Sequence, residues 1–202
     1  MNFQSVEFEA AFGTLEQLPA SDLPEIAFSG RSNVGKSSLL NRLFNRKSSL
    51  ARVSSVPGKT ITVNFFKIPG ARMVDLPGYG YAKVPKSEKA RWAKLMEGYF
   101  GSGRNIRLVV QLVDMRHPPS ADDLQMLEFL KANGFSFVVA LTKCDKLNKS
   151  QYAARLEAVK KELAFVPENN LIPFSAVTGE GVQALQSVIE NILETPVEDR
   201  ND

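Results

Sequence analysis

A single cysteine, Cys144, rules out an internal disulfide framework and fits a reducing compartment. The lone histidine, His117, precedes Pro118-Pro119, a setting that predicts a loop residue rather than a catalyst. No apolar run approaches the ~20 residues that a membrane-spanning helix needs. The longest, residues 108–113 and 135–141, have the length of buried strands. The opening MNFQSVEFEA has no basic segment followed by an apolar core, so a secretory signal is not expected. Internal repeats, low-complexity tracts and a second domain are also missing. These absences predict a cytoplasmic, single-domain protein, and 202 residues are enough to bury a substantial core.

Acidic residues are scarce in one long stretch. Residues 31–107 hold 16 Lys/Arg against 3 Asp/Glu, whereas the rest of the chain holds 9 against 19, so the net charge of +3 conceals a strong asymmetry. Such a division suggests one face made for a polyanion. A solvated basic surface with no partner is the plainer alternative.

The most informative stretch is residues 25–40, EIAFSGRSNVGKSSLL. It reads as an apolar strand around Ile26, Ala27 and Phe28, a glycine-rich turn, and a helix opening at Lys36. The turn fits G-x-x-x-x-G-K-S from Gly30 through Arg31, Ser32, Asn33, Val34 and Gly35 to Lys36 and Ser37. Glycines let successive backbone N–H groups curl inward toward phosphate oxygens, and the helix N-terminus, with Ser38 in its first turn, adds unpaired donors. Lys36 supplies a cation for the β- and γ-phosphates, and the Ser37 hydroxyl can ligate Mg²⁺. A chance match in a glycine-containing loop would not be expected to fall between a strand and a helix. The pattern implies a nucleoside-triphosphate site.

Along the chain, residues 1–24 contain VEFEAAF, which alternates briefly and could add an edge strand. Residues 44–59 are polar, basic and interrupted by Pro57-Gly58, the composition of a loop. Residues 61–68 and 71–76, separated by Pro69-Gly70, predict a β-hairpin that supplies the one antiparallel pairing. Helices are expected at 87–100 with a serine cap, at 120–133 between Ser120 and Gly134, at 150–165 and at 181–193. Strands are expected at 107–114, 135–141 and 171–174. Strands alternating with helices predict a three-layer α/β domain over 25–195, with a mostly parallel sheet, one antiparallel strand and helices on both faces. Residues 196–202 read as a disordered tail.

Ligands in such sheets bind at the carboxyl ends of the strands. There stand Asp75-Leu76-Pro77-Gly78, whose Asp can hold a Mg²⁺ shell through water and whose Gly N–H can reach a γ-phosphate. The next such site is Thr142-Lys143-Cys144-Asp145, where a carboxylate can accept from guanine N1–H and N2 amine, which adenine lacks. The Lys143 stem can lie over the purine. Phe174-Ser175-Ala176 follows the last strand and could offer an N–H to guanine O6. Each motif alone is weak; four in this order resemble the P-loop GTPases of the translation-factor class, and an ATP-binding P-loop protein is the competing reading.

GRSNVGKSSLLN, PGKT, NFF, DLPGYGYAKV and TKCDK together resemble the EngB family of bacterial ribosome-assembly GTPases. That resemblance implies the Ras-like P-loop fold and Mg²⁺-dependent conversion of GTP to GDP and phosphate. It also implies a role in large ribosomal subunit assembly and in normal cell division and septation. In this pattern Gly58, Lys59, Thr60, Ile61 and Thr62 form the switch segment. Thr60, before a strand, is the choice for the Mg²⁺-binding threonine; Thr62, alternating with Asn64 and Phe66, is the rival. The site set is therefore Lys36, Thr60, Gly78 and Asn33 for catalysis, and Ser37, Thr60 and Asp75 for the metal.

The position after D-x-x-G, where many signalling GTPases hold a water-orienting glutamine, is Tyr79. Slow intrinsic turnover is expected, completed from outside. In related GTPases an asparagine at the Asn33 position helps hold K⁺ against the phosphates; the alternative is that Asn33 only tolerates a strained turn. Lys86, Lys89, Arg91 and Lys94, flanked by Lys83, Arg104 and Arg107, together with the 46–52 loop, are expected to dock on ribosomal RNA phosphates. Tyr79, Tyr81 and Trp92 could stack on bases, though core or switch packing is the plainer reading. No membrane, DNA or obligate dimer is indicated, so a monomer is expected. A GTP/GDP-gated adaptor for division or signalling proteins, with incidental hydrolysis, is the alternative function.

Overall fold

The computed structural model describes residues 1–45, 61–80 and 85–196. Seven strands form one sheet: β1 (Glu7–Phe12), β2 (Glu25–Gly30), β3 (Val63–Ile68), β4 (Ala71–Asp75), β5 (Ile106–Asp114), β6 (Phe137–Thr142) and β7 (Leu171–Phe174). Their order is β1-β3-β4-β2-β5-β6-β7. β2 pairs in parallel with β4 and β5, and β6 in parallel with β5 and β7. β3 alone runs against its neighbours, which makes it the one antiparallel strand of the sheet. The expectation of a single antiparallel pairing is corrected, because β1 also pairs antiparallel with β3. An added edge strand can follow either direction, and β1 uses the free side of the hairpin.

Among the described residues five α-helices cover the sheet: α1 (Lys36–Leu43), α2 (Lys86–Gly101), α3 (Ala121–Ala132), α4 (Lys149–Glu162) and α5 (Val182–Glu194). Strand alternation divides the core. Leu108, Val110 and Leu112 of β5 pack with Leu39 and Leu43 of α1 and Leu185 and Ile189 of α5. Val109 joins Leu95, Tyr99 and Leu130 on the opposite face, and Val113 joins Leu127, Val159 and Leu163 beside it. With both faces covered, β5 and β6 need the near-continuous apolar runs seen in the sequence.

Helix starts follow local chemistry. Ser120 caps α3, with Asp123 completing a capping box, and Gly134 follows the helix at φ +70°. Asn148 and Gln151 form the same device on α4, which runs 149–162 rather than 150–165. α2 begins at Lys86, so Ser87 lies inside its first turn and the cap position belongs to Pro85. Pro85 stands ahead of the helix at φ −52° and ψ 149°, and no side chain caps the first turn. Among the described residues no helix is long and apolar enough to cross a membrane.

Candidate functional site

β2 delivers the chain to Gly30, which is buried so tightly that an added Cβ would lie 2.9 Å from Val34 and 3.0 Å from Leu112. The turn then needs two left-handed residues, Asn33 (φ +61°) and Gly35 (φ +106°). Gly35 leads into α1 with no side-chain cap, so the first-turn N–H groups of Lys36, Ser37 and Ser38 face no competing side-chain acceptor there. Arg31 and Ser32 precede them, and Val34 is buried beneath.

β4 is antiparallel to β3 and parallel to β2, which places Asp75 beside the P-loop. Lys36 Nζ forms an ion pair with Asp75 and donates to the Leu76 carbonyl at 2.6 Å. Asn64 on β3 donates to the second Asp75 oxygen at 3.2 Å and accepts from the Thr62 hydroxyl at 3.1 Å. Thr62, the rival switch threonine, therefore stands just ahead of β3 in a chain of contacts ending on Asp75. Pro77 is buried, and Gly78 lies against the P-loop, where a Cβ would sit 3.2 Å from Ser32 N. The Ser32 N–H donates to the Tyr79 carbonyl at 2.8 Å, joining the two phosphate-side loops. Ile61 is half-buried; Gly58, Lys59 and Thr60 lie outside the described residues.

The Ser37 hydroxyl and Asp75 carboxylate are hard oxygen donors suited to Mg²⁺, which keeps several waters and shares phosphate oxygens. Among the described residues no group of three or more His, Cys, Asp or Glu could hold a metal unaided. Ser37 and Asp75 thus supply donors of the type that Mg²⁺ takes.

The loops after β6 and β7 meet on the other side of the P-loop. Thr142 donates to the Val34 carbonyl at 2.7 Å. Lys143, itself left-handed at φ +62°, donates to the Asn33 carbonyl at 2.8 Å and to Asp114 at 2.9 Å. Asp145 accepts from the Ser175 hydroxyl at 2.8 Å, and that hydroxyl accepts from the N–H groups of Val177 and Thr178. Phe174 is buried, Cys144 is buried and Ala176 is half-buried. Burial would raise the Asp145 pKa, but the Ser175 hydroxyl and Lys146 outweigh it and hold the carboxyl below its ordinary value. Asp114 is held well below the usual carboxylate range, because bonds from Arg116 and Lys143 overcome its burial. Asp114 ends a strand as Asp75 does, but no motif marks it in the sequence, and Asn64 stands in the NFF run with no role attached to it.

Tyr79 points inward. Its hydroxyl donates to Asp123 at 2.7 Å and accepts from Gln111 at 2.6 Å, while its ring meets Trp92 edge-on at 6.2 Å. Burial, with Asp123 adding to it, pushes the phenol far above its ordinary pKa. Trp92 donates to the Pro77 carbonyl at 3.1 Å. Both aromatics therefore belong to packing rather than to base stacking, and Tyr81 lies outside the described residues. Tyr79→Phe is expected to destabilise the fold by about 1–3 kcal/mol, because Asp123 loses a buried donor. Single-turnover GTP hydrolysis should stay nearly unchanged. Denaturant unfolding and rapid-quench assays check the two halves, and a large loss of hydrolysis would give the phenol a chemical role.

The basic stretch is less uniform than its composition. Lys86, Lys89 and Lys94 are exposed. Arg91 turns to the carbonyls of Gly13 and Ile61, at 3.1 and 3.3 Å from Nη2. The Arg104 side chain is buried against Glu25, and Arg107 donates to the carbonyls of Ile192 and Thr195 at the end of α5. The inclusion of Arg104 in a phosphate-binding face is thereby corrected. A long guanidinium stem reaches backbone and carboxylate partners that no local pattern reveals. Lys83 and residues 46–52 lie outside the described residues, and His117 is an exposed turn residue.

A strand, a P-loop and two strand-end loops meeting over it define a P-loop GTPase of three-layer α/β architecture. A family described as "50S ribosome-binding GTPase" matches residues 25–143, and one described as "Elongation factor Tu GTP binding domain" matches residues 93–195. The chain is 47% identical over 190 residues to the probable GTP-binding protein EngB of Pelotomaculum thermopropionicum, covering 94% of this chain and 96% of that protein. It is 48% identical to the same-named protein of Exiguobacterium sibiricum, covering 94% and 98%. A crystal structure of a probable GTP-binding protein engB superposes with a TM-score of 0.68 at 26% identity, over 84% of this chain and 98% of that one. Era in complex with MgGDPNP and nucleotides of 16S ribosomal RNA shares the fold, with a TM-score of 0.60 at 22% identity, over 91% of this chain and 61% of that one. The chain belongs to the EngB family of GTP-binding proteins, which are GTPases.

Proposed function

We propose that this GTPase is a cytoplasmic, monomeric assembly factor of the large ribosomal subunit, needed for normal division and septation, and that it works as a Mg²⁺·GTP-gated RNA-phosphate binder. The observation that carries the reading is the placement of α2. It follows the D-x-x-G loop directly, is tied to that loop through Trp92 and Pro77, and exposes Lys86 and Lys89 near its start. A shift of the loop on γ-phosphate contact would move this helix with it. The family's description as 50S ribosome-binding supports the choice of polyanion.

In the bound state Lys36 and the α1 N-terminus hold the β- and γ-phosphates. Ser37 and Thr60 would hold Mg²⁺ directly, Asp75 would hold it through water, and Gly78 would face the γ-phosphate. Mg²⁺ supplies charge neutralisation on the transferring phosphoryl group. Lys143 and Asp145 select guanine, with Ser175 and Ala176 at its O6 edge. Tyr79, turned into the core, cannot orient the attacking water from the position after D-x-x-G, so turnover is slow until the ribosomal particle completes the site. Asn33 has a second task beside its left-handed turn: its side chain helps hold K⁺ on the phosphates. Replacing K⁺ by Na⁺ should slow single-turnover hydrolysis, and Asn33→Ala should abolish that difference. Equal rates in both salts would leave Asn33 its turn alone.

Sedimentation with large ribosomal subunits, in GTP analogue and in GDP, tests the partner. Co-sedimentation should prefer the analogue and weaken steeply with salt. Lys86→Ala with Lys89→Ala should reduce the salt slope by about two. No nucleotide preference and a flat salt response would refute the reading.

A further inference from the structure

Two loops must present their groups to one base, yet they leave separate strands, so something must fix their spacing. The β7–α5 loop is closed on itself: the Ser175 N–H donates to the Glu180 carbonyl at 3.0 Å and the Gly179 N–H to the Ser175 carbonyl at 2.9 Å. Its exit is pinned at Gly181, where a Cβ would lie 2.1 Å from the Pro173 carbonyl oxygen and φ is +78°. From this closed loop the Glu180 side chain reaches across to the other loop. One carboxylate oxygen accepts from the Tyr152 hydroxyl on α4 at 2.5 Å. The other accepts from the Cys144 thiol at 3.5 Å, between Lys143 and Asp145.

We propose that Glu180 is a positioning residue for guanine selection, clipping the Ser175–Ala176 loop to the Lys143–Asp145 loop through Cys144 and Tyr152. This rests on the assignment of those loops to guanine made above. The clip lies beside the Ser175–Asp145 bond, so the spacing of the two loops is fixed at two points rather than one. One point would leave a hinge. A base that bridges the loops gains from the second because the geometry it needs is already set.

The protonation states agree with this role. Burial, followed by the Glu180 carboxylate, pushes the Cys144 thiol up to about 12, with Asp145 adding to it. Burial and Glu180 likewise raise the Tyr152 phenol above its ordinary value. Both neighbours therefore stay neutral donors at physiological pH, and Glu180 faces them as an acceptor. No cation is paired with Glu180 among the described ion pairs. The carboxylate thus adds negative potential beside Asp145, which favours a base edge made of donors, as guanine N1–H and N2 amine are.

Glu180→Ala should weaken GDP and GTP equally, by about tenfold. Hydrolysis of GTP already bound should change by less than about twofold, because the phosphate side is untouched. Tyr152→Phe should act in the same direction, and the double variant should be no worse than Glu180→Ala alone. Glu180→Gln, which keeps an acceptor for Tyr152, should recover part of the affinity.

Unchanged GDP affinity in folded Glu180→Ala, or additive effects of the two variants, would each overturn the proposal. Should Glu180→Ala fail to fold, Tyr152→Phe and Glu180→Gln carry the same test. Asp145→Asn keeps the two levels distinct. If it leaves GTP affinity unchanged, the base assignment itself fails; if it behaves as expected while the Glu180 variants do not, only the positioning role fails.

Discussion

Asp145→Asn is expected to weaken GTP binding on the order of 10³-fold and to admit xanthosine triphosphate in its place. The carboxylate has two acceptor oxygens, and guanine offers two donors, N1–H and the N2 amine. Asparagine keeps one acceptor and replaces the other with a donor, so one base donor keeps its partner while the other meets a donor head-on. Xanthine carries an oxygen where guanine carries the amine and can use the new donor. Ser175 holds Asp145 from behind at 2.8 Å, so the side chain cannot swing away to relieve the mismatch without losing that bond. Competition of each nucleotide against a fluorescent GDP checks this. Undiminished GTP affinity would remove Asp145 from base recognition.

Arg104→Ala is expected to destabilise the fold by about 3–5 kcal/mol, the range for breaking a buried ion pair from one side. Glu25 is fully buried, and the Arg104 side chain is only 6% exposed. The guanidinium donates to Glu25 at 2.6 and 2.9 Å and to the Pro19 carbonyl at 3.0 Å. Its plane lies over Phe65 and Tyr99, 5.4 and 5.5 Å from the ring centres, while Tyr99 donates to Glu25 at 2.9 Å. Truncation would strand a buried carboxylate with only the Tyr99 and Ser21 hydroxyls left as side-chain donors. Arg104→Met with Glu25→Gln should recover part of the loss, since no bare charge remains. Glu25 opens β2 and Gly30 closes it, so nucleotide affinity of the folded variant should change little. Chemical denaturation with parallel GDP titration measures both. A loss below ~1 kcal/mol would mean that the pair contributes no more than a surface contact.

The two predictions mark the boundary of what was readable in the chain. The phosphate and base motifs were legible because each is a short run at a strand end, where backbone geometry and residue type are fixed together. The sheet was legible for the same reason: continuous apolar runs at β5 and β6 announce strands covered on both faces. Arg104 was misread because its partner, Glu25, lies 79 positions away and leaves no periodic signal. Arg91 and Arg107 likewise spend their donors on distant carbonyls, so a count of basic residues overstated the free cationic surface. The Tyr79–Asp123–Gln111 network and the Glu180 clip are of the same kind. Each joins side chains from three elements, and only the folded sheet brings them together.

The measurement that tests the central claim most directly is single-turnover GTP hydrolysis with and without purified large ribosomal subunits, in K⁺ buffer and then in Na⁺. With Tyr79 turned into the core, the account predicts slow hydrolysis by the protein alone and stimulation by the subunits on the order of tenfold or more, greater in K⁺. No stimulation in either salt, with nucleotide binding intact, would contradict it and leave a nucleotide-gated adaptor as the better description.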